Sequence, residues 1–500
     1  MANTTTPLLG PQTQDAPASQ YSGNQKLAKA TSQGRLRAYW LGCVVCMGGF
    51  LFGYDSGIVG GVLTLASFQR DFRYGKQHQT RVNALSVGLQ QLGALLGCFV
   101  AWPIADRYGR KKPLMLFAGV FCLGAIAQAA NSHSLAVFYA ARIVSGLGLG
   151  AATVVVPMFS SEMVPTELRG QIGSFFQLFF TLGIFTSYWI DYGVSFMKDD
   201  LTAQWQIPIG LQLLPAVVLG TGALTLKESA RWLTKKDRHA EAWRSLSWIR
   251  GDDSPATVDE MNEIRLGVQA EAEETEGFEF KELLHGDSAK RVLAGFCIMA
   301  AQQATGATAF AYFGPQYFTL LVGGGQRALL LTAVFGAVKV AACGVFVLFL
   351  ASRFSRRQVL VGGAAVMAAC QAATAGVVRA RPAPEDGAVT ASGVLTVALI
   401  YIFVAVYNTS WGPMSWPYLS EIFPARIREP GIAIGAASQW LFNFVFSVVT
   451  PYMMDRLGWG TFLVWGVFDA VISVMAFLFL KETKDLSLEA IASQRFNKRV

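Results

Sequence analysis

The sequence predicts an all-α membrane protein with twelve transmembrane helices arranged as two related halves. Three observations carry that expectation: scarce charge, long apolar runs at regular intervals, and short motifs that recur in the second half of the chain. Of 500 residues, 53% are hydrophobic and 15% are charged, and the mean hydropathy is +0.39. A soluble protein of this length needs more charge to cover its surface. Here the charges fall between apolar runs, many of which reach the roughly 20 residues that a helix needs to cross a bilayer. Helix is the natural element for such runs, because lipid offers no partner to an unpaired backbone amide.

Taken in order, twelve runs lie near 40–63, 83–105, 114–131, 135–158, 171–193, 205–226, 292–319, 328–351, 358–378, 393–419, 431–454 and 460–480. Residues 1–38 are polar, rich in Thr, Gln, Ser and Ala, and read as a disordered cytosolic tail. Six runs occupy 39–226, and six more occupy 291–480. Between them, 227–290 is polar, with mixed charge including Glu271, Glu273, Glu274 and Glu276, and reads as a cytosolic helical linker. Residues 481–500 form a short cytosolic tail.

Orientation follows from the basic loops. Arg107, Arg110, Lys111 and Lys112 follow the second run, Arg353, Arg356 and Arg357 the eighth, and Arg426 and Arg428 the tenth. Arg70, Arg73, Lys76 and Arg81 in the first outer loop run against the rule, but its weight puts both termini in the cytosol.

The net charge of +8 is mostly this topological bias and does not point to nucleic acid. All seven cysteines lie within apolar runs and read as small buried hydrophobes, and none of the four histidines lies mid-run. There is no nucleotide loop, metal-ligand cluster or nucleophile–base pairing. An enzyme and an ATP-driven pump are therefore excluded, and no cofactor or metal is expected.

The halves repeat. Asp106-Arg-Tyr-Gly-Arg-Lys111 is echoed by Ser352-Arg-Phe-Ser-Arg-Arg357, 246 residues on (352 − 106). Ser161-Glu-Met-Val-Pro165 with Arg169 is echoed by Ser420-Glu-Ile-Phe-Pro424 with Arg428, the glutamates being 259 apart (421 − 162). Lys227-Glu-Ser229 is echoed by Lys481-Glu-Thr483, 254 apart (482 − 228). Three unrelated motifs in order at nearly one spacing indicate a duplicated six-span unit, the design of carriers whose halves rock about a midplane site.

These residues also carry a family resemblance. The loop from Asp106 to Lys111 resembles the signature of the major facilitator superfamily. Lys227-Glu-Ser-Ala-Arg-Trp-Leu233, Gln302-Gln303-x-x-Gly306 with Tyr312, Trp411-Gly-Pro413 with Trp416, and Lys481-Glu-Thr-Lys…Leu486-Ser-Leu-Glu489 look like sugar porters. The resemblance runs from about 40 to 490. It implies a gate of ion pairs at the cytosolic helix ends, made by Asp106, Arg107, Arg110, Lys111, Glu162, Arg169, Glu228 and Arg231 in the first half. Arg353, Arg356, Arg357, Glu421, Arg428 and Glu482 are their counterparts in the second. Pairs formed between the halves when the inner side is shut would supply a bistable element. Ser352 and Ser355 replace the expected Asp and Gly and imply a weaker second latch.

Within the bilayer, Asp55 stands deep in the first run and Arg142 is the sole cation of the fourth. A carboxylate there is costly unless paired or protonated, so the two read as a proton-coupling pair, with a static salt bridge as the alternative. The resemblance agrees, since proton-coupled sugar porters carry Asp at this place and animal glucose facilitators carry Asn. Substrate contacts implied by the family motifs are Gln177, Gln302, Gln303, Trp416, Gln439, Trp440 and Asn443, with Phe310 and Tyr312 as an outer gate. Two positions depart from the glucose carriers, which have Asn at both: Thr308 and Lys339. A lysine so far from either end of its run needs a wet cavity or a counter-ion; a substrate carboxylate would serve, and snorkelling or an internal partner is the alternative. Phe335-Gly-Ala-Val-Lys339 and Ser438-Gln-Trp-Leu-Phe-Asn-Phe444 resemble the fungal quinate permease branch, which implies a cyclic polyol acid beside neutral sugars.

The function expected is proton symport of a monosaccharide or related cyclic polyol acid by a monomer in the plasma membrane. A facilitative uniporter and a non-transporting nutrient sensor are the alternatives.

Overall fold

A computed structural model describes residues 31–350, 353–382 and 390–482, apart from a few side chains near residues 166–174 and at 425. Among them the chain is helical. Ser32–Val62 forms α1, Lys76–Tyr108 α2, Lys111–Ala129 α3, Leu135–Met163 α4 and Thr166–Val194 α5. The sixth expected run is split into Ala203–Leu211 (α6a) and Leu213–Thr225 (α6b). In the second half the seventh run is split into Gly286–Ala304 (α7a) and Ala307–Val322 (α7b). Gln326–Val345 forms α8, Arg356–Ala380 α9, Ala391–Thr409 and Trp411–Glu421 α10a and α10b, Ala425–Leu457 α11 and Gly460–Phe479 α12. Ten of the described helical stretches are long and apolar enough to span a membrane; α5 and the broken α7 complete the twelve expected runs by position.

Local sequence explains the ends and breaks. Helix α1 starts at Ser32, inside the segment read as a tail, because the Thr31 hydroxyl accepts the Gly34 amide (3.0 Å) and caps it. Arg37 secures that first turn by donating to the Trp248 carbonyl (2.5 Å) and lying over its ring. The α7 break falls at Gly306, whose φ of +79° is left-handed, and a Cβ there would lie 2.7 Å from the Trp465 ring. Only glycine meets both demands. A second irregularity, at Phe313 (φ −116°), lies within α7b two residues before Pro315. The α10 break falls at Ser410 (φ −135°, ψ −94°).

Helix α1 lies along α5, and α2 along α4. Glycines 49, 53, 57 and 61 recur every fourth residue on α1. They abut the Phe176 and Phe180 carbonyls, Ser187 and Asp191 of α5, so the two backbones pack without intervening side chains. Across the halves, α2 packs on α11, α5 on α8, and α1 on α7b. Outward-facing surfaces are apolar: α12 exposes Val467, Val471, Val474, Phe477, Leu478 and Phe479, a face suited to lipid. The cysteines are all free, but only Cys46, Cys343 and Cys370 are buried. Cys43 and Cys297 are exposed, so the expectation of seven buried hydrophobes fails for them, since helix rotation turns both outward.

The segment after α6b folds as helices Ala230–Lys235, His239–Arg250 and Pro255–Thr275 with a 3-10 turn, Phe280–Leu284. They lie at the end of the bundle where α1 begins, called the terminal end below; the opposite end is the far end. Arg250 donates to the Met163 carbonyl (3.1 Å), and Arg426 forms a two-point ion pair with Glu282 (2.8 Å). That hydrogen-bonded pairing holds the half-buried Glu282 carboxyl down at about 2.

Candidate functional site

Asp55 and Arg142 are each 1% exposed and meet at 3.0 Å (Oδ1–Nη1). Three helices set the geometry. Arg142 Nε donates to the Ser86 carbonyl of α2 (2.8 Å), and its Nη1 also reaches Gln128 Oε1 of α3 (3.3 Å). Gln128 is held in turn by Ser145 (2.8 Å). The other Asp55 oxygen accepts from Gln90 of α2. The arginine is therefore fixed independently of the aspartate, and Asp55 adds a polar tie between α1 and α4, which also pack directly, Gly48 against Val156. Sequence reasoning found the two charges but missed Gln90 and Gln128, whose only signal was an amide inside an apolar run.

Around the plane between the halves, aromatic rings connect α1, α5 and α11. Phe52 lies 4.8 Å from Phe180 and 5.3 Å from Trp440, centroid to centroid. Lys339, 2% exposed, extends from α8 with Nζ 6.0 Å from the Phe180 ring and 5.8 Å from Phe335. It makes no ion pair or hydrogen bond among the described residues. Asn443 donates to the Tyr312 hydroxyl (3.1 Å), which also lies beside Ser56 of α1. Thus Phe52, Asp55 and Ser56, spaced over one turn of one helix, face the aromatic bridge, the arginine and the second half.

Several amides have unused acceptors. Gln302 donates to the Trp411 and Gly412 carbonyls at the α10 break (3.1 and 3.3 Å), yet its Oε1 has no partner, nor have Gln303 Oε1 and Gln439 Oε1. Buried oxygens left in this way suit a polar ligand. Gln177 is half-buried on α5, and Thr308 is half-buried beside the Tyr407 hydroxyl. Trp416 keeps 39% of its surface exposed. Phe310 is fully buried and stacks on Tyr317 of its own helix (3.9 Å) with Phe403 and Phe462 nearby, so its ring packs inside the second half.

At the far end three hydrogen bonds cross between the halves: Tyr188 Oη to the Ala311 carbonyl (2.5 Å), Gln316 to the Gly60 carbonyl (3.1 Å) and Gln326 to the Ser195 carbonyl (3.1 Å). The molecule is closed there. Beyond them Asp71, buried at the end of the short helix Ala66–Asp71 that follows α1, accepts from the Trp205 indole (2.9 Å) and Arg70 (2.7 Å). Burial alone would raise this carboxyl, but the Trp205 and Arg70 donors hold it below the usual carboxylate range.

The terminal end repeats one arrangement in each half. Arg110 pairs with Glu162 (2.8 Å), and Arg356 pairs with Glu421 (3.4 Å). Glu228 accepts the backbone amides of Arg110 (2.8 Å) and Lys111 (3.2 Å), and Glu482 accepts those of Arg356 (3.0 Å) and Arg357 (3.2 Å). Each glutamate thereby caps a helix N-terminus, where the orphan amides and the dipole favour an anion. These pairs join residues of the same half rather than of opposite halves as the sequence suggested, because each partner lies on a neighbouring helix of one repeat. Asp106 pairs with Lys236 (3.1 Å), and Arg231 with Glu271 of the linker (2.5 Å). Lys111 Nζ donates to the Leu224 and Leu226 carbonyls, Arg357 to that of Phe477 and Arg428 to that of Phe423, while Arg107 lies over Tyr108. The Arg353 amide closes a turn on Leu350 (3.1 Å). The Arg169 side chain, Ser352 and the segment Leu486–Glu489 lie outside the described residues.

Twelve helical spans in two repeating halves, with buried polar groups where the halves meet, define a membrane transporter of the major facilitator type. Residues 41–494 match the family model for the sugar (and other) transporter family, and the chain belongs to that family. It is 32% identical over 467 residues to the quinate permease of Emericella nidulans, covering 91% of this chain and 88% of that one. It is likewise 32% identical to a probable quinate permease of Aspergillus clavatus, covering 91% and 87%. Among solved structures, it is similar to the proton:xylose symporter XylE bound to 6-bromo-6-deoxy-D-glucose, with TM-score 0.75, 24% identity, and coverage of 92% of this chain and 99% of that one. The inward-open xylose transporter XylE from E. coli is similar at TM-score 0.75 and 23% identity, covering 91% and 99%. The relatives are permeases, and this chain is a transporter rather than an enzyme.

Proposed function

We propose that the chain imports a hydroxylated carboxylic acid of the quinate kind together with a proton, as a monomer in the plasma membrane with both termini in the cytosol. The observation that carries this reading is Lys339, a buried cation beside the aromatic bridge with no carboxylate partner among the described residues. A substrate carboxylate supplies the missing counter-charge, and the free oxygens of Gln302, Gln303 and Gln439 accept from its hydroxyls. The names of the permease relatives support the same substrate class.

The proton acts through Asp55. When Asp55 takes a proton, its attraction to Arg142 falls, while Arg142 stays held by Ser86 and Gln128. The polar tie between α1 and α4 is then loosened. Because α1 also carries Phe52, which touches Trp440, and Gly60, which receives Gln316, its position bears on the contacts between the halves. Substrate and proton enter from the far end, the halves rock, and both leave at the terminal end. The pairs Arg110–Glu162 and Arg356–Glu421 keep the helix ends of each half in register during that motion.

A second reading is a facilitator in which Asp55 is static; it draws on the fact that Arg142 and Gln90 already engage both Asp55 oxygens. The test is uptake of labelled quinate, galacturonate, glucose and xylose in a yeast lacking its own carriers, with and without a protonophore. Acid uptake abolished by the protonophore is expected. Neutral-sugar uptake that ignores it leaves the facilitator.

A further inference from the structure

The polar stripe of α5 holds a second aspartate that the coupling pair does not use. Asp191 is 2% exposed, and neither carboxyl oxygen has a hydrogen-bond partner. It lies directly against Gly61 of α1, where a Cβ would overlap its Oδ2, and the Gly61 amide runs alongside without hydrogen-bond geometry. Tyr54 of α1 and Tyr188 of α5 face it; Tyr312 of α7b faces Tyr188 one layer further in; no charged side chain of α4, α6a or α8 faces it. An ionised carboxylate with neither cation nor donor is expensive in such a place, whereas a neutral carboxylic acid is not.

Its position is that of a gate. Tyr188, one turn from Asp191 on α5, makes the hydrogen bond to Ala311 across the halves, and Gly60, beside Gly61, receives the one from Gln316. Asp191 therefore sits beside two of the three contacts that close the far end, on their outer side. Gly61 is six residues beyond Asp55, about 9 Å further out along α1 at 1.5 Å per residue. A proton arriving from the far side passes Asp191 before it reaches Asp55. Water that enters when these contacts between the halves part solvates the carboxylate and removes the penalty, so ionisation favours the open state.

We propose that Asp191 is a second proton-binding carboxyl, which must be neutral for the far end to close. The proposal rests on the transport reading for its setting, but its test does not depend on coupling. The sign is fixed: closure is favoured at low pH and lost as pH rises, and an asparagine, which mimics the neutral acid, removes that loss.

The experiment uses the full chain in lipid nanodiscs and in proteoliposomes. A wild-type minus Asp191→Asn infrared difference spectrum should contain the carbonyl band of a protonated carboxyl. Equilibrium exchange of labelled quinate at equal pH on both sides should fall on the alkaline side in wild type, by up to about tenfold per pH unit for a single proton. In Asp191→Asn that fall should move to higher pH or vanish. An absent difference band, or a band with superimposable pH profiles, overturns the proposal. If the asparagine variant does not accumulate, Asp191→Ser takes the same two readings. Should wild-type uptake prove indifferent to a protonophore, the coupling reading fails while the infrared result still decides Asp191.

Discussion

Replacing Lys339 by methionine removes a cation from between Phe180 and Phe335 and keeps the length and most of the volume of the side chain. Two unit charges 4 Å apart interact by about 4 kcal/mol at an effective dielectric of 20. Desolvation of both partners reduces the net value to the roughly 1.5–3 kcal/mol typical of a hydrogen bond to a charged group. At 1.36 kcal/mol per decade, that is about a 10- to 150-fold loss of apparent affinity for an acid. The assay is competition: labelled quinate uptake against unlabelled quinate and unlabelled inositol, in wild type and Lys339→Met. Quinate should weaken by that factor while inositol, which has hydroxyls but no carboxylate, shifts by less than about threefold. The thermal midpoint should not fall, because the variant removes a buried charge without stranding a partner. Equal losses for both compounds, or unchanged quinate affinity, would refute the argument and leave Lys339 as a structural cation.

Asp55→Asn keeps the hydrogen bonding of the pair but loses its charge, and uptake against a gradient should fall at least tenfold and become insensitive to a protonophore, read by labelled-substrate accumulation. Glu228→Gln should lower the thermal midpoint by weakening the α3 cap, on the order of 0.5–2 kcal/mol, and Glu482→Gln should do the same for α9, read by fluorescence melting in detergent. Asp71 has a depressed carboxyl in the folded state, so its contribution is present above the unfolded value near 4 and lost as pH falls below it. Wild type should therefore lose more thermal stability between pH 7 and pH 3 than Asp71→Asn does.

The span count was legible because lipid imposes a length and forbids unpaired backbone, and both constraints appear in composition. The breaks in spans six, seven and ten were not, since an apolar run reads as continuous whether or not its axis bends. Gly306 was noticed as part of a motif, but its conformation depends on Trp465, 159 residues away (465 − 306). Asp55 and Arg142 stood out as lone charges in apolar runs, whereas Gln90 did not, because an amide barely changes a hydropathy window. Phe310 was placed at the outer gate with Tyr312, yet two residues on a helix differ by about 200° in direction, so one faces α1 and the other the core of its own half. Asp191 escaped notice for a similar reason: near the end of its run it looks like an interfacial charge, and only the approach of Gly61 buries it.

The glutamate caps carry a mechanical consequence. After six helices the chain returns at Glu228 to bind the amides that begin its third helix, and Glu482 repeats this in the second half. Each half is thereby a ring fastened at one point, which resists shearing of its helices past one another. Deformation is then confined to the seams between the rings and to the residues whose backbone departs most from helix, Gly306, Phe313 and Ser410, which lie in the second half, whereas the α6 break at Gln212 keeps helical angles (φ −62°, ψ −16°). The two rings are thus unequal partners: the first turns as a block, and the second supplies the joints.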